Sequence, residues 1–221
     1  MRATPPRCYV RPMRPEDIPQ VMDLERESFP TMWPQTVYQR ELKNKLARYL
    51  VACEPRERAQ AEPPAVSSGF RGLLRRLVGA PATATRDRIV GMVGLWCMVG
   101  EGHIVTIAVR SSCRRQGIGE LLVVSVLEAA IDAGQEEVTL EYRVSNLAAR
   151  ALYEKYGFRQ VGVRVRYYSD NQEDAVLMTT PPLRSPAFRR LLAQRIAEQR
   201  QRWGDDYPLA GQMRWLAAPS S

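Results

Sequence analysis

The apolar positions of this chain switch between two periods. Short runs rich in Val, Ile and Leu read as strands, and between them apolar residues return every three to four positions, as on one face of a helix. Tyr9-Val10-Arg11 reads as a short first strand. Pro15-Glu16-Asp17 marks a helix start, with Pro early and acids in the first turn, and Val21, Leu24, Glu25 and Ser28 come next at helical spacing. Phe29 to Pro34 interrupts that helix, and a second is expected to run to Leu46. Tyr49 to Cys53, Ile89 to Cys97 and Ile104 to Val109 have strand character. Residues 120–133 are apolar on nearly every side, which predicts a helix buried against a sheet. Glu137 to Tyr142 alternates as a strand, with Val138, Leu140 and Tyr142 on one face and Glu141 on the other. Ser145 or Asn146 can cap the next helix, which ends at Gly157 with Phe158 behind it. Val161 to Tyr168 and Ala175 to Thr180 close the series as a hairpin. Strands alternating with helices before a terminal hairpin predict an α/β domain with a mixed sheet over residues 1–182.

Two segments stand outside that pattern. Residues 54–88 are rich in Pro, Ala and Arg and are long for a connection between neighbouring strands, so they read as a basic insertion. Residues 183–221 come after Pro181-Pro182, and within them 185–203 form a further predicted helix. Its apolar positions, Phe188, Leu191, Leu192, Ile196 and Trp203, are expected to dock on the domain. Charge sharpens the division. The formal net charge is +8, but residues 54–88 carry seven Arg against four acids and residues 183–221 carry seven Arg against three. The other 147 residues hold 18 basic and 17 acidic side chains, so the basicity belongs to the insertion and the tail. Arginine-rich segments of this kind are solvated or contact RNA, a ribosome, a membrane surface or a protein partner.

The chemistry-bearing residues exclude several classes. Cys8, Cys53, Cys97 and Cys113 stand far apart with no C-x-x-C pair, and His103 is the single histidine, so a zinc site is poorly supported. Three of the cysteines read as small core residues, whereas Cys113, just before a glycine turn, can be exposed. His103, at a strand start beside Gly102, reads as a surface or edge residue. With one His and no nucleophile elbow, a Ser-His-Asp hydrolase has little support. No apolar run approaches the roughly 18 residues of a membrane span, and the first residues lack the apolar core of a signal peptide, so a cytoplasmic protein is expected.

Between the strand ending at Val109 and the buried helix lies Arg114-Arg115-Gln116-Gly117-Ile118-Gly119. A strand, a turn with two glycines and a helix start can hold a phosphate, because the first helical N–H groups lack internal partners and carry about half a positive charge. The turn has no P-loop Lys, and Leu122 stands where a dinucleotide fingerprint needs its third Gly. On these six residues alone, a phosphate site and an ordinary Gly-containing turn with exposed arginines are both open.

The downstream residues narrow the choice. Arg114 to Gly119, then Leu140-Glu141-Tyr142-Arg143-Val144-Ser145-Asn146, then Ala151-Leu152-Tyr153-Glu154-Lys155-Tyr156-Gly157-Phe158, Arg166-Tyr167-Tyr168 and Asp174 to Met178 resemble, in order and spacing, the RimI-type N-terminal acetyltransferases of the GNAT superfamily. These enzymes modify the N-terminus of a small-subunit ribosomal protein, at an Ala exposed by Met removal. The likeness covers about residues 8–53 and 89–182 and neither basic appendage. It implies a GNAT-like mixed central sheet flanked by helices, with the insertion and the C-terminal helical tail added. It also implies acetyl-CoA as cosubstrate, with no metal. Ile107, Ala108 and Val109 would pair with the pantetheine arm through their backbones. The segment Arg114, Arg115, Gln116, Gly117, Ile118, Gly119 and Glu120 would grip the pyrophosphate, and Asn146 would contact the coenzyme. Glu141 is the implied base and Tyr153 the implied acid, with Tyr156 a packing residue. Phe29, Pro30, Tyr167 and Tyr168 would narrow the cleft around an extended peptide N-terminus.

Magnitudes fit a modest base. An α-amine with pKa near 7.8 is roughly 15% neutral at pH 7, a penalty of about 1 kcal/mol, whereas a lysine amine near 10.4 pays about 4.6 kcal/mol. A carboxylate acting directly or through a water suffices for the first. A GNAT acting on a small amine or a lysine is the second enzyme reading. A ribosome- or RNA-binding protein without catalysis is the reading from another class, and it predicts affinity that falls steeply with salt.

Overall fold

The computed structural model describes residues 8–30, 34–55 and 87–204. Residues 56–86 of the basic insertion and the last residues of the tail fall outside these, as do Thr31, Met32 and Trp33 of the expected acceptor loop. The described strands are β1 (Tyr9–Pro12), β2 (Ala47–Glu54), β3 (Arg88–Cys97), β4 (Glu101–Val109), β5 (Glu137–Arg143), β6 (Arg159–Tyr168) and β7 (Glu173–Thr179). The helices are α1 (Ile18–Ser28), α2 (Gln35–Glu41), α3 (Ile118–Asp132), α4 (Leu147–Lys155) and α5 (Pro186–Trp203). The strands form one seven-stranded sheet in the order β1-β2-β3-β4-β5-β7-β6. Its pairs are antiparallel except β4 with β5, which run parallel because α3 carries the chain across one face between them.

Each face of the sheet has its own core. On one, Leu121, Leu122, Val124 and Leu127 of α3 pack over Ile104, Val138 and Leu140. Ten of the fifteen residues of α3 are buried, as its all-round apolar sequence requires. On the other face, Ile18, Val21 and Leu24 of α1 and Tyr38 of α2 cover Val51, Ile89 and Met92. Helix α2 ends at Glu41, five residues before the expected Leu46, because the chain turns there. The Asn44 side chain accepts the Leu46 amide at 3.0 Å, and Leu46 itself is exposed. Cys113 is buried like the other three cysteines, which corrects the expectation that it can be exposed.

The entry to α1 carries a buried ion pair. A 3-10 turn (Pro15–Asp17) precedes the helix, and both Asp17 oxygens accept from Arg11, at 2.6 and 2.8 Å, while Oδ2 also accepts the Arg14 amide at 2.7 Å. Burial alone would raise the Asp17 pKa, but the Arg11 pair and the Arg14 amide outweigh it and hold the carboxyl below its ordinary value. A depressed folded-state pKa gives stability that is full above the ordinary value near 3.9 and fades as pH falls through the lowered one. Asp17→Asn is therefore expected to cost about 1–3 kcal/mol at pH 7 in urea unfolding. The difference from wild type should shrink as pH is lowered below about 4.

The C-terminal helix is part of the larger core. The Ser185 hydroxyl caps it by accepting the Phe188 amide at 3.3 Å, with Pro186 in the first turn. Phe188, Leu192 and Trp203 are buried in the α3-side cluster, and Ile196 packs against it, so the expected dock is made.

Candidate active site

The site opens where β4 and β5 part. Their parallel ladder runs from Glu101↔Glu137 to Ile104↔Leu140 and stops, although β4 continues to Val109 and β5 to Arg143. Beyond that point, among the described residues, Ile107, Ala108 and Val109 pair only with β3, through Val93, Met92 and Gly91. One edge of β4 is thus turned to a wedge between two splayed strands. A bulge at Val105, between the pairs Leu95↔Ile104 and Gly94↔Thr106, marks the start of the wedge.

The far end of the wedge is the glycine turn. Arg115 adopts φ 63° and Gly117 φ 90°, both in the left-handed region, and Gly117 leads directly into α3. A left-handed residue followed by a right-handed one turns successive N–H groups to the same side as an anion-binding concavity. The first helical bond is from the Leu121 amide to the Gly117 carbonyl, at 3.0 Å, so the amides of Ile118, Gly119 and Glu120 have no partner within the helix. A Cβ at Gly119 would point into the gap between β4 and α4, 3.5 Å from Leu152 and 3.9 Å from Val109. That cradle fits a chain passing from the wedge to the turn. Arg114 ties the turn back to the strand end through its Nε, which donates to the Val109 carbonyl at 3.1 Å, and Gln116 donates to the Ser112 carbonyl at 3.3 Å. Glu27, near the end of α1, accepts the Ser111 amide at 2.6 Å and pairs with Arg110 at 3.1 Å. The segment after α1 is thereby anchored beside the turn. There Phe29 packs on the α1-side core and Pro30 is exposed.

At the near end of the wedge stands Glu141, the first β5 residue past the ladder, its side chain only 7% exposed. Its Oε1 pairs with Arg164 at 3.0 Å, and its Oε2 lies 3.1 Å from Nε2 of His103. His103 is therefore not the surface or edge residue that its sequence position suggests. It sits on an interior strand, opposite Thr139, and its Nδ1 lies 2.8 Å from the Thr139 hydroxyl. Thr139 in turn donates to Glu101 at 2.6 Å. Because the one Thr139 proton is engaged at Glu101, the hydrogen bond between His103 and Thr139 needs His103 Nδ1 as its donor. Nε2 then faces Oε2 with a single place for a proton between them. Arg164, Thr139 and His103 have no local sequence signal for this role. They meet Glu141 only through the parallel register and the β6–β7 hairpin.

Tyr153 lies on α4 with its ring between Tyr142 and Phe158, at centroid distances of 5.9 and 5.6 Å. It is 3% exposed, and its hydroxyl makes no hydrogen bond among the described residues. Burial, with the neighbouring phenols Tyr168 and Tyr142, pushes it well above the ordinary phenol range. Tyr156 points elsewhere, its hydroxyl donating to Glu120 at 3.1 Å, as a packing residue would. Tyr167 and Tyr168 stand edge to face, 5.2 Å apart, at the end of β6. A bulge there, with Arg166 at φ 53° and its amide on Asp174, sets their direction. Arg143 lies 3.9 Å over the Tyr168 ring. Burial, with charge on Tyr167, Glu141 and Glu173, outweighs Arg143 and pushes Tyr168 up to about 12. Asn146 caps α4, its Oδ1 accepting the Ala149 amide at 3.0 Å. The helix ends in a Schellman turn, with Gly157 at φ 86° and the Phe158 amide on the Tyr153 carbonyl at 3.1 Å. That turn fixes the helix register, and with it Tyr153.

A splayed parallel pair thus leads to an open helix start, with the paired carboxylate of Glu141 and the phenol of Tyr153 on the elements that flank it. The family model described as "Acetyltransferase (GNAT) family" matches residues 18–158, and the chain belongs to that family of acyltransferases. It is 31% identical over 173 residues to a putative [ribosomal protein bS18]-alanine N-acetyltransferase of Bacillus subtilis, covering 78% of this chain and 94% of that one. It is 34% identical over 173 residues to an N-alpha-acetyltransferase of Sulfurisphaera tokodaii, covering 78% and 92%. Among solved structures it resembles the ribosomal-protein-S18-alanine N-acetyltransferase from Escherichia coli, with TM-score 0.59, 20% identity, and coverage of 79% and 94%. At that identity the last likeness is one of fold.

Proposed function

We propose that this chain is an N-alpha-acetyltransferase that moves an acetyl group from acetyl-CoA to the N-terminal amine of a protein. Its acceptor would be an N-terminal Ala of a small-subunit ribosomal protein. The observation that carries the reading is the Glu141–His103 pair at the mouth of a wedge that ends in an anion-binding turn. Relatives named for the same activity, at 31–34% identity over most of their length, support it.

Acetyl-CoA supplies the thioester whose acetyl group is transferred. The backbone of Ile107, Ala108 and Val109 would pair with the pantetheine arm as an added strand does. The amides from Arg115 to Glu120 would hold the pyrophosphate. Asn146 uses Oδ1 as a cap, which leaves its amide donors for the coenzyme. The seat between Glu141 Oε2 and His103 Nε2 takes the proton that the attacking amine gives up, directly or through a water. Tyr153 gives a proton to the departing sulfur. Burial raises the phenol, but it raises a thiolate in the same pocket too, so the transfer depends on the difference between them.

The acceptor side supports a peptide end. Tyr167 is 48% exposed beside the half-buried Tyr168, and Phe29 and Pro30 come directly after the anchored end of α1. The α-amine of a peptide needs about 1 kcal/mol to be neutral at pH 7, within the reach of a single paired carboxylate. The expected result is thiol release from acetyl-CoA with N-terminal Ala peptides. Internal-lysine peptides should be at least about 100-fold slower, given the roughly 3.6 kcal/mol difference in amine neutrality, and N-acetylated peptides, which have no free α-amine, should release no thiol above background. Equal rates with internal lysine would overturn the N-terminal assignment. Salt-sensitive RNA binding with no thiol release would favour the non-catalytic reading of the basic appendages.

A further inference from the structure

Helix α5 lies beyond the segment matched by the family, yet it ends on the phosphate turn. Its contacts run from the end of α4 to the start of α3. Leu191 and Phe188 cover Gly157, where an added Cβ would lie 2.8 Å from Leu191. Arg195 donates to the Lys155 carbonyl at 3.1 Å, and Gln199 to the Tyr156 hydroxyl. Arg202 then pairs with Glu120 at 2.9 Å, and Trp203 backs Gly117. A Cβ at Gly117 would lie 3.0 Å from Trp203 Nε1 and 3.5 Å from Arg202 Nη1.

Electrostatics give this contact a purpose. Glu120 places a carboxylate in the first turn of α3, where a helix start favours negative charge but where a bound phosphate would be repelled. The carboxylate has two cations on it, Lys155 at 2.5 Å and Arg202 at 2.9 Å, so the cluster as a whole is positive. Burial would raise the Glu120 pKa, but Lys155 and Arg202 lower it below its ordinary value, so it stays their partner at neutral pH. A guanidinium has five N–H donors, and the Arg202 side chain is 44% exposed, so donors remain beyond the one on Glu120, on a side chain whose Nη1 lies beside Gly117.

We infer that Arg202, on the C-terminal extension, is a phosphate-binding residue of the coenzyme site, with Trp203 as the backing that holds the turn. This rests on the acetyl-CoA reading above. Its test is calorimetric titration of the full chain with coenzyme A, using wild type, Arg202→Gln and Arg202→Lys, with circular dichroism as the check on folding. Arg202→Gln is expected to weaken coenzyme A binding about tenfold, as loss of one charge-assisted contact does. Arg202→Lys should recover most of the loss, and the difference from wild type should shrink as salt is raised. The kcat/KM for S-acetylpantetheine, which lacks the phosphates, should change less than about twofold. Unchanged coenzyme A affinity overturns the inference, and so does an equal loss with S-acetylpantetheine, which would make α5 only a strut. A wild-type chain that does not bind coenzyme A would instead overturn the coenzyme reading. If Arg202→Gln does not fold, Glu120→Gln is compared with the double variant Glu120→Gln/Arg202→Gln, which leaves no unpaired carboxylate, and the same two outcomes are read.

Discussion

Replacing Tyr153 with Phe is expected to slow turnover by about 10²–10⁴ while leaving coenzyme A affinity within about twofold. The substitution isolates one atom. The ring is what packs, between Tyr142 and Phe158 on the larger core, and Phe keeps it. The hydroxyl has no hydrogen-bond partner among the described residues, so its loss should cost the fold less than about 1 kcal/mol. The ring is buried, but its hydroxyl is not among the buried unpaired polar atoms, so it reaches an accessible edge where donating a proton to a leaving group is a use for it. Its raised pKa keeps the phenol protonated across the working pH range, so no loss of activity should trace to its ionisation below about pH 10. The check is pre-steady-state acetyl transfer beside a coenzyme A titration. Near-normal turnover in the variant would falsify the acid role.

Replacing Glu141 with Gln is the second large effect. The amide removes the proton seat opposite His103 and leaves Arg164 without its ion-pair partner. Below the α-amine pKa near 7.8, the variant depends on the small neutral fraction of the peptide, whereas wild type has an acceptor in place. The expected loss is about 10²-fold at pH 6.5, shrinking toward about tenfold or less at pH 9. A kcat/KM profile from pH 6 to 9.5 with one Ala-initiated peptide makes the measurement. A loss of constant size across that range would instead make Glu141 a positioning residue. His103→Ala should reproduce part of the low-pH loss, because Oε2 remains but the proton it takes is no longer shared.

Much of this site is local and therefore legible in the chain itself. Gly117 is needed because the entry to α3 requires φ 90°, a conformation costly for residues with a Cβ. Period two alone places Glu141 on the face away from Val138 and Leu140, and the structure keeps that alternation. Gly157 and Phe158 announce the end of α4, and a Schellman turn forms there. The elements and their order obey the same rules, with α2 shorter than expected because a turn at Asn44 stops it.

The misreadings have a common cause. His103 looks peripheral in the sequence because its partner Thr139 is 36 residues away, across a parallel crossover that no local pattern encodes. Arg202 looks like one more charge in a basic tail, and only the docking of α5 places it on Glu120. The alternation of strands and helices, the glycine turn and the side of β5 that the carboxylate faces are all written in the linear chain, since they depend on neighbours a few residues apart. Which side chains meet that carboxylate, and what stands beside the phosphate turn, is settled only in three dimensions. Those contacts close over tens of residues, and strand register and helix docking, set by the packing of the whole core, choose among many partners of equal local merit.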